Sequence, residues 1–229
     1  MPVSGGAVSA VLVRPVARTV PWRTIAVGGG LGLLLAAGPR MWGDGATDWL
    51  ALTALRASAV AFALGAAFLL DDPARHTTAV VPTRRAVRHG LRLALVAPVA
   101  ALWWTAALLL VPGSLRPPAA DVTVEAATVL ALALTGSAFA IRWGDGTRPG
   151  QAVAGFLLAS AILAPLFSPG SWALFVTPDD PKWALSHDRW TLLLCAVLAV
   201  GAVCATERAR RAGLRGLRSP SGTSGPSRA

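Results

Sequence analysis

The chain has 229 residues, of which 54% are hydrophobic and only 14% charged, too apolar for a soluble domain and too short of charge to cover one. A membrane-spanning helix needs about 20 mostly apolar residues, so the length admits roughly six or seven spans and no sizeable soluble domain. The formal charge of +10 falls between and after the apolar runs rather than on one amphipathic face, which reads as topology signalling and leaves no nucleic-acid partner expected.

Residues 1–23 hold a short apolar run, Ala7 to Val13, with Arg14, Arg18 and Arg23 behind it and no basic residue ahead, an order wrong for a cleaved signal peptide. With Pro15 and Pro21 interrupting, a loose or interfacial cytoplasmic segment is expected. Span 1 is then Thr24 to Gly38, where Gly28, Gly29, Gly30 and Gly32 allow close helix contact in lipid. A nucleotide-binding glycine loop fails there, because no strand precedes it and Leu33 occupies the third glycine position. Span 2 is Asp48 to Leu70, span 3 Leu91 to Val111, span 4 Val122 to Ile141, span 5 Gln151 to Phe167 and span 6 Arg189 to Ala205. The residues after Glu207 begin as a basic helical extension and end in Ser, Gly and Pro, a largely disordered tail. The predicted fold is an all-α polytopic membrane protein with six transmembrane helices and cytoplasmic termini.

That topology puts sixteen of the 21 lysines and arginines in the two tails and the two inner loops, and four in the outer loops, with Arg56 left inside span 2. Tryptophans fall at both predicted boundaries: Trp22 and Trp143 inside, and Trp42, Trp49, Trp172, Trp183 and Trp190 outside. Cys195 and Cys204 lie in one apolar run, about 13 Å apart on a helix, too far to bond to each other.

Little in the chain promises chemistry. His76, His89 and His187 stand without the close ligand spacing of a metal site, and no hydrolase motif is present, so neither catalytic nor metal-binding residues are expected. The single lysine, Lys182, lies in an outer loop, so the phosphate-cradling motif GxxxxGK[ST] cannot form in this sequence. Any ATP-dependent step therefore belongs to another polypeptide. Two ionisable residues fall inside spans, Arg56 in span 2 and Glu125 in span 4. Each must find water, a headgroup or a partner, since a charge in hydrocarbon costs about 3 kcal/mol or more. Arg56 can snorkel while Glu125 stays interfacial, or the two can pair if spans 2 and 4 are neighbours. In the last outer loop Asp180-Pro181 reads as the start of a short helix, with Trp183, His187 and Trp190 on one face. This is either an interfacial anchor or an extracellular gate.

The order of these elements, with a cytoplasmic segment opening on Asp72-Pro73 between spans 2 and 3 and a helical element before span 6, resembles the membrane subunits of ABC type-2 transporters. The stretches LLDDPARHTTAVVPTRRAVRHGLRLAL at Leu69 to Leu95 and PDDPKWALSHDRWTLLLCAVLA at Pro178 to Ala199 resemble the phrasing of small Ala- and Arg-rich actinobacterial permease-like proteins. The resemblance implies a transporter subunit, an exporter, in a bacterial cell membrane, working as a homodimer or with a second permease. It implies an ATPase-coupling element of Asp71, Asp72, Pro73, Ala74, Arg75, His76 and Thr77, with Arg84, Arg85 and Arg88 at the membrane edge and Arg142 to Gly150 as a minor contact. No cofactor would be bound by this chain, and ATP and magnesium would be held by the partner ATPase. A non-transporting membrane scaffold or assembly factor is the alternative.

Overall fold

The computed structural model describes residues 17–70, 85–143, 149–168, 172 and 174–205. They form six long helices, α1 (Trp22–Trp42), α2 (Asp48–Ala66), α3 (Arg85–Leu110), α4 (Ala119–Trp143), α5 (Pro149–Phe167) and α6 (Trp183–Ala205), with no strand among them. All six are long and apolar enough to cross a membrane, as expected of a multi-pass membrane protein.

Hydrogen bonds between helix ends fix which ends lie together. Thr24 Oγ1 at the start of α1 donates to the carbonyl of Gly65 at the end of α2. Arg40 at the end of α1 donates to the Leu109 and Leu110 carbonyls at the end of α3. Asp121 at the start of α4 meets Trp183 at the start of α6, and Arg142 at the end of α4 meets the Val203 and Cys204 carbonyls at the end of α6. The ends of α1, α3 and α5 thus share one face with the starts of α2, α4 and α6. By the arginine distribution this is the outer face.

The central element is α2, which contacts α1, α3, α4 and α5; 61% of its membrane window is buried, against at most 33% for any other helix. Its composition explains this. Ala51, Ser58, Ala59, Ala61, Ala63, Gly65 and Ala66 are all buried, and small side chains let neighbouring backbones close in without a large apolar stripe. The seam with α1 is the tightest. A Cβ on Gly28 would lie 2.5 Å from the Ala61 carbonyl oxygen, and one on Gly65 2.5 Å from that of Thr24. A Cβ on Gly32 would strike both the Ser58 carbonyl oxygen and the Trp103 ring. Trp103 of α3 stacks on Phe62 of α2, with centroids 4.3 Å apart, and its Nε1–H donates to the Gly29 carbonyl at 2.8 Å. One aromatic side chain therefore joins three helices.

Several helices run longer than their apolar runs suggest. α1 passes through Pro39, expected to lie in the first outer loop. A proline in the last turn removes one internal donor there, and the neighbouring Arg40 is committed to the end of α3. α6 begins at Trp183 rather than Arg189, and among the described residues no separate helix lies between α5 and α6. Asp188 and Arg189, which read as a span boundary, sit on the outward side of a helix already under way; Asp188 is exposed and the Arg189 guanidinium lies over the Trp172 ring. α2 ends in turns after Ala66 instead of continuing to Leu70.

Candidate functional site: a buried ion cluster at the outer end

Arg56 lies eight residues into α2, Glu125 six residues into α4 and His187 four residues into α6, about 12, 9 and 6 Å along their helices from the outer ends. The helices place all three side chains at one point. Arg56 Nε donates to Glu125 Oε2 and Arg56 Nη2 to Oε1, each at 2.7 Å, a bidentate pair. His187 Nε2 lies 3.0 Å from Oε1 of the same carboxylate, and Nδ1 lies 2.9 Å from the Trp183 carbonyl oxygen. Glu125 is 4% exposed and His187 7%. The carboxylate is therefore held from two sides by other spans rather than by water. Snorkelling of Arg56 and an interfacial Glu125, the plainer of the two expectations, do not describe this arrangement.

The chain between α5 and α6 contributes backbone to the site. The Val176 carbonyl accepts from Arg56 Nη2 at 3.3 Å, and the Leu174 carbonyl accepts from both Ser186 Oγ and Trp190 Nε1, at 2.9 and 3.0 Å. Phe175 lies under the Arg56 guanidinium at 5.7 Å and edge-on to Trp190. Asp121, one turn before Glu125, accepts from Trp183 Nε1 at 2.6 Å. Trp183, His187 and Trp190 share one helix face; His187 and Trp190 are buried, so Trp190 leaves the outer aromatic belt to which the sequence assigns it, while Trp183 stays half-buried at the outer end of α6. Asp180 Oδ1 accepts from the Lys182 backbone N–H, and a turn at Asp180 and Pro181 leads directly into α6. The Trp belt otherwise stands at Trp22, Trp42, Trp49, Trp143 and Trp172, all exposed.

A second polar contact, at the inner face, was not evident from the sequence, where Arg92 counts only as one more basic residue of the inner loop. It is 5% exposed in α3 and donates to the Leu69 carbonyl and to Thr19 Oγ1, each at 3.2 Å. The guanidinium thereby ties the end of the α2 segment to α3 and to the chain before α1. The expected coupling residues Asp71, Asp72, Pro73, Ala74, Arg75, His76 and Thr77 lie outside the described residues, as do Arg84, the side chains of Arg85 and Arg88, and residues 144–148 of the second inner loop. Arg92 holds the roots of the first of these segments.

Other features are less chemical. An apolar cleft of about 250 Å³ lies between α3 and α4 over Ala59 and Phe62 of α2, and Trp104 Nε1 donates to Thr123 Oγ1 across it at 2.9 Å. It contains no ionisable side chain. Among the described residues no three His, Cys, Asp or Glu side chains converge as metal ligands would. The site joins three spans through charged and polar side chains. Known protein families, curated proteins and solved structures yield no match to this chain.

Proposed function

We propose that this chain is the membrane subunit of an ATP-driven ABC exporter in a bacterial cell membrane, paired with a separate ATPase through the segment between α2 and α3. The observation that carries the reading is the Arg56–Glu125–His187 cluster. Ionisable groups at this depth are costly, and they mark substrate or ion pathways more often than passive packing. Here they join α2, α4 and α6 at the outer end by contacts that form or break as a set, as an outer gate requires. The Arg92 clamp supports the other half of the reading: a push on residues 71–84 would reach α2 and α3 together, because Arg92 of α3 donates to the Leu69 carbonyl just past α2. With no GxxxxGK[ST] in the sequence, ATP and magnesium would be held by the partner in this reading.

A non-transporting scaffold is the second reading, favoured by the glycine-to-backbone seam between α1 and α2, which suits a rigid body. Affinity purification of the tagged chain from its native membrane in mild detergent, followed by mass spectrometry, separates the two. Recovery of an ATPase with the natural sequence, and its loss with Asp71, Asp72 and Arg75 changed to alanine, supports the transporter. Absence of any ATPase, even after crosslinking, supports the scaffold.

A further inference from the structure

A groove between the inner halves of α1 and α2 is shaped by absent side chains. Gly28 and Gly65 lie on its floor, and a Cβ on either would stand 2.5 Å from a carbonyl oxygen of the facing helix, so neither position can carry a side chain to fill it. Val27 and Leu31 of α1 form one wall, and Leu64 of α2 with Phe68 just beyond it forms the other. The groove holds about 360 Å³ and opens on the lipid-facing surface, where Val27 and Leu31 are exposed. From Arg23 to Leu31 it spans eight residues, about 12 Å along α1 from the inner face. The hydrocarbon of one leaflet is about 15 Å deep, so the groove has the reach of a single acyl chain.

Its lining turns cationic at the inner face. Arg23 closes that end, is exposed, and has no hydrogen bond or ion pair among the described residues. Thr24, the other polar residue of the lining, already donates to the Pro21 and Gly65 carbonyls. Arg18, five residues before Arg23, is exposed too, and the exposed Trp22 indole stands at headgroup level. Among the described residues every carboxylate belongs to the outer half of the bundle, so none neutralises Arg23.

We propose that this groove binds one acyl chain of an anionic phospholipid of the inner leaflet, with the headgroup phosphate against Arg23. Charge selects the ligand. A guanidinium pairs well with phosphate oxygens, and anionic lipids gather beside basic side chains at the membrane surface. A zwitterionic headgroup brings an ammonium as well, for which the described residues place no carboxylate at this end. A second copy of the chain fits less well: two-fold symmetry about this groove would set Arg18 and Arg23 against their own counterparts, like charge facing like. A lipid seated here touches both helices across the Gly28–Gly65 seam and braces the last turn of α2 against α1. This holds whether the chain transports or only scaffolds.

The test uses the full chain in phosphatidylcholine nanodiscs carrying a small fraction of a lipid with a diazirine on one acyl chain, either phosphatidylglycerol or phosphatidylcholine. After photolysis, adducts at residues 27–31 and 64–68 are counted by peptide mass spectrometry relative to Phe156 and Leu158, exposed apolar residues of α5 at similar depth from the inner face. On that scale the phosphatidylglycerol probe should label the groove about fivefold more than the phosphatidylcholine probe, the effect of about one arginine at a membrane surface, and Arg23→Gln should abolish the preference. Equal labelling by the two probes, or a preference that survives Arg23→Gln, overturns the proposal. A second measurement needs no variant: excess unlabelled phosphatidylglycerol should displace the probe from the groove while labelling of α5 falls only by dilution, and an equal fall at both places overturns the proposal. Protection of the groove from both probes, with crosslinks between copies through α1, would put a second chain there instead of a lipid.

Discussion

At Glu125 the energetics depend on what is left behind when a partner is removed. Glu125 is only 4% exposed and Arg56 donates to both of its oxygens, and a buried pair broken from one side costs about 3–5 kcal/mol. Glu125→Leu should therefore destabilise the protein by about that amount, measured by equilibrium unfolding in detergent micelles. Replacing both charges, as Arg56→Met with Glu125→Leu, should recover most of the loss, since well-packed apolar replacements of a buried pair are often close to neutral. Additive losses in the double variant would mean the two residues act separately. At this scale the sequence was informative about Arg56 and Glu125, because charges within apolar runs are conspicuous and only one partner of opposite sign lay at similar depth. His187 was legible as a member of a helix face but not as a partner of Glu125. Nothing local distinguishes a helix face turned to headgroups from one turned to a neighbouring span.

Helix contacts here are governed by where side chains are missing. Gly28 and Gly65 each sit where a Cβ would meet a backbone oxygen at 2.5 Å, which rigid helices cannot yield cheaply. Leucine at either position should separate α1 from α2, costing at least the 1–3 kcal/mol usual for overpacking, whereas Gly30→Ala meets nothing within 4 Å and should change stability by less than about 0.5 kcal/mol. Thermal unfolding of the purified variants would rank them, and equal losses at Gly30 and Gly28 would refute the seam. Three arginines act at the same scale. Arg40, Arg92 and Arg142 each donate to carbonyls at or just past the end of another helix, satisfying groups that a helix C-terminus leaves open. Arg92→Met should cost about 1.5–3 kcal/mol, the range for hydrogen bonds to a charged donor, read in the same unfolding assay. Hydropathy found all six spans, but it ended them at prolines and charges. The chain continues through Pro39, which is buried in the last turn of α1, and past Asp188, which is exposed, and Arg189, which lies over Trp172, placements that only tertiary contacts reveal.

For the whole molecule, the arrangement is asymmetric in a way that bears on mechanism. α2 is enclosed by four other helices, while α3 makes few contacts beyond α1 and α2, and α3 and α4 are separated by the apolar cleft. The outer half is held by the contacts among Arg56, Glu125 and His187, and the inner end by Arg92, which bonds to Leu69. Movement at the inner roots would reach the ion cluster through α2, which carries Leu69 just beyond its inner end and Arg56 at about its midpoint. The six spans were legible from the apolar runs, and which of their ends lie together from the alternation of arginine counts. The central place of α2 was not, since its apolar content differs little from that of its neighbours and its burial follows from small side chains on several faces.

The central claim, that force enters from a separate ATPase at the segment between α2 and α3, is tested most directly by site-specific photocrosslinking in native membranes. A photoreactive amino acid at His76 should form an adduct containing a soluble ATPase, and the same group at Leu115, in the outer connection between α3 and α4, should not. An ATPase-free pattern at His76, or the same adduct from both positions, would contradict the account.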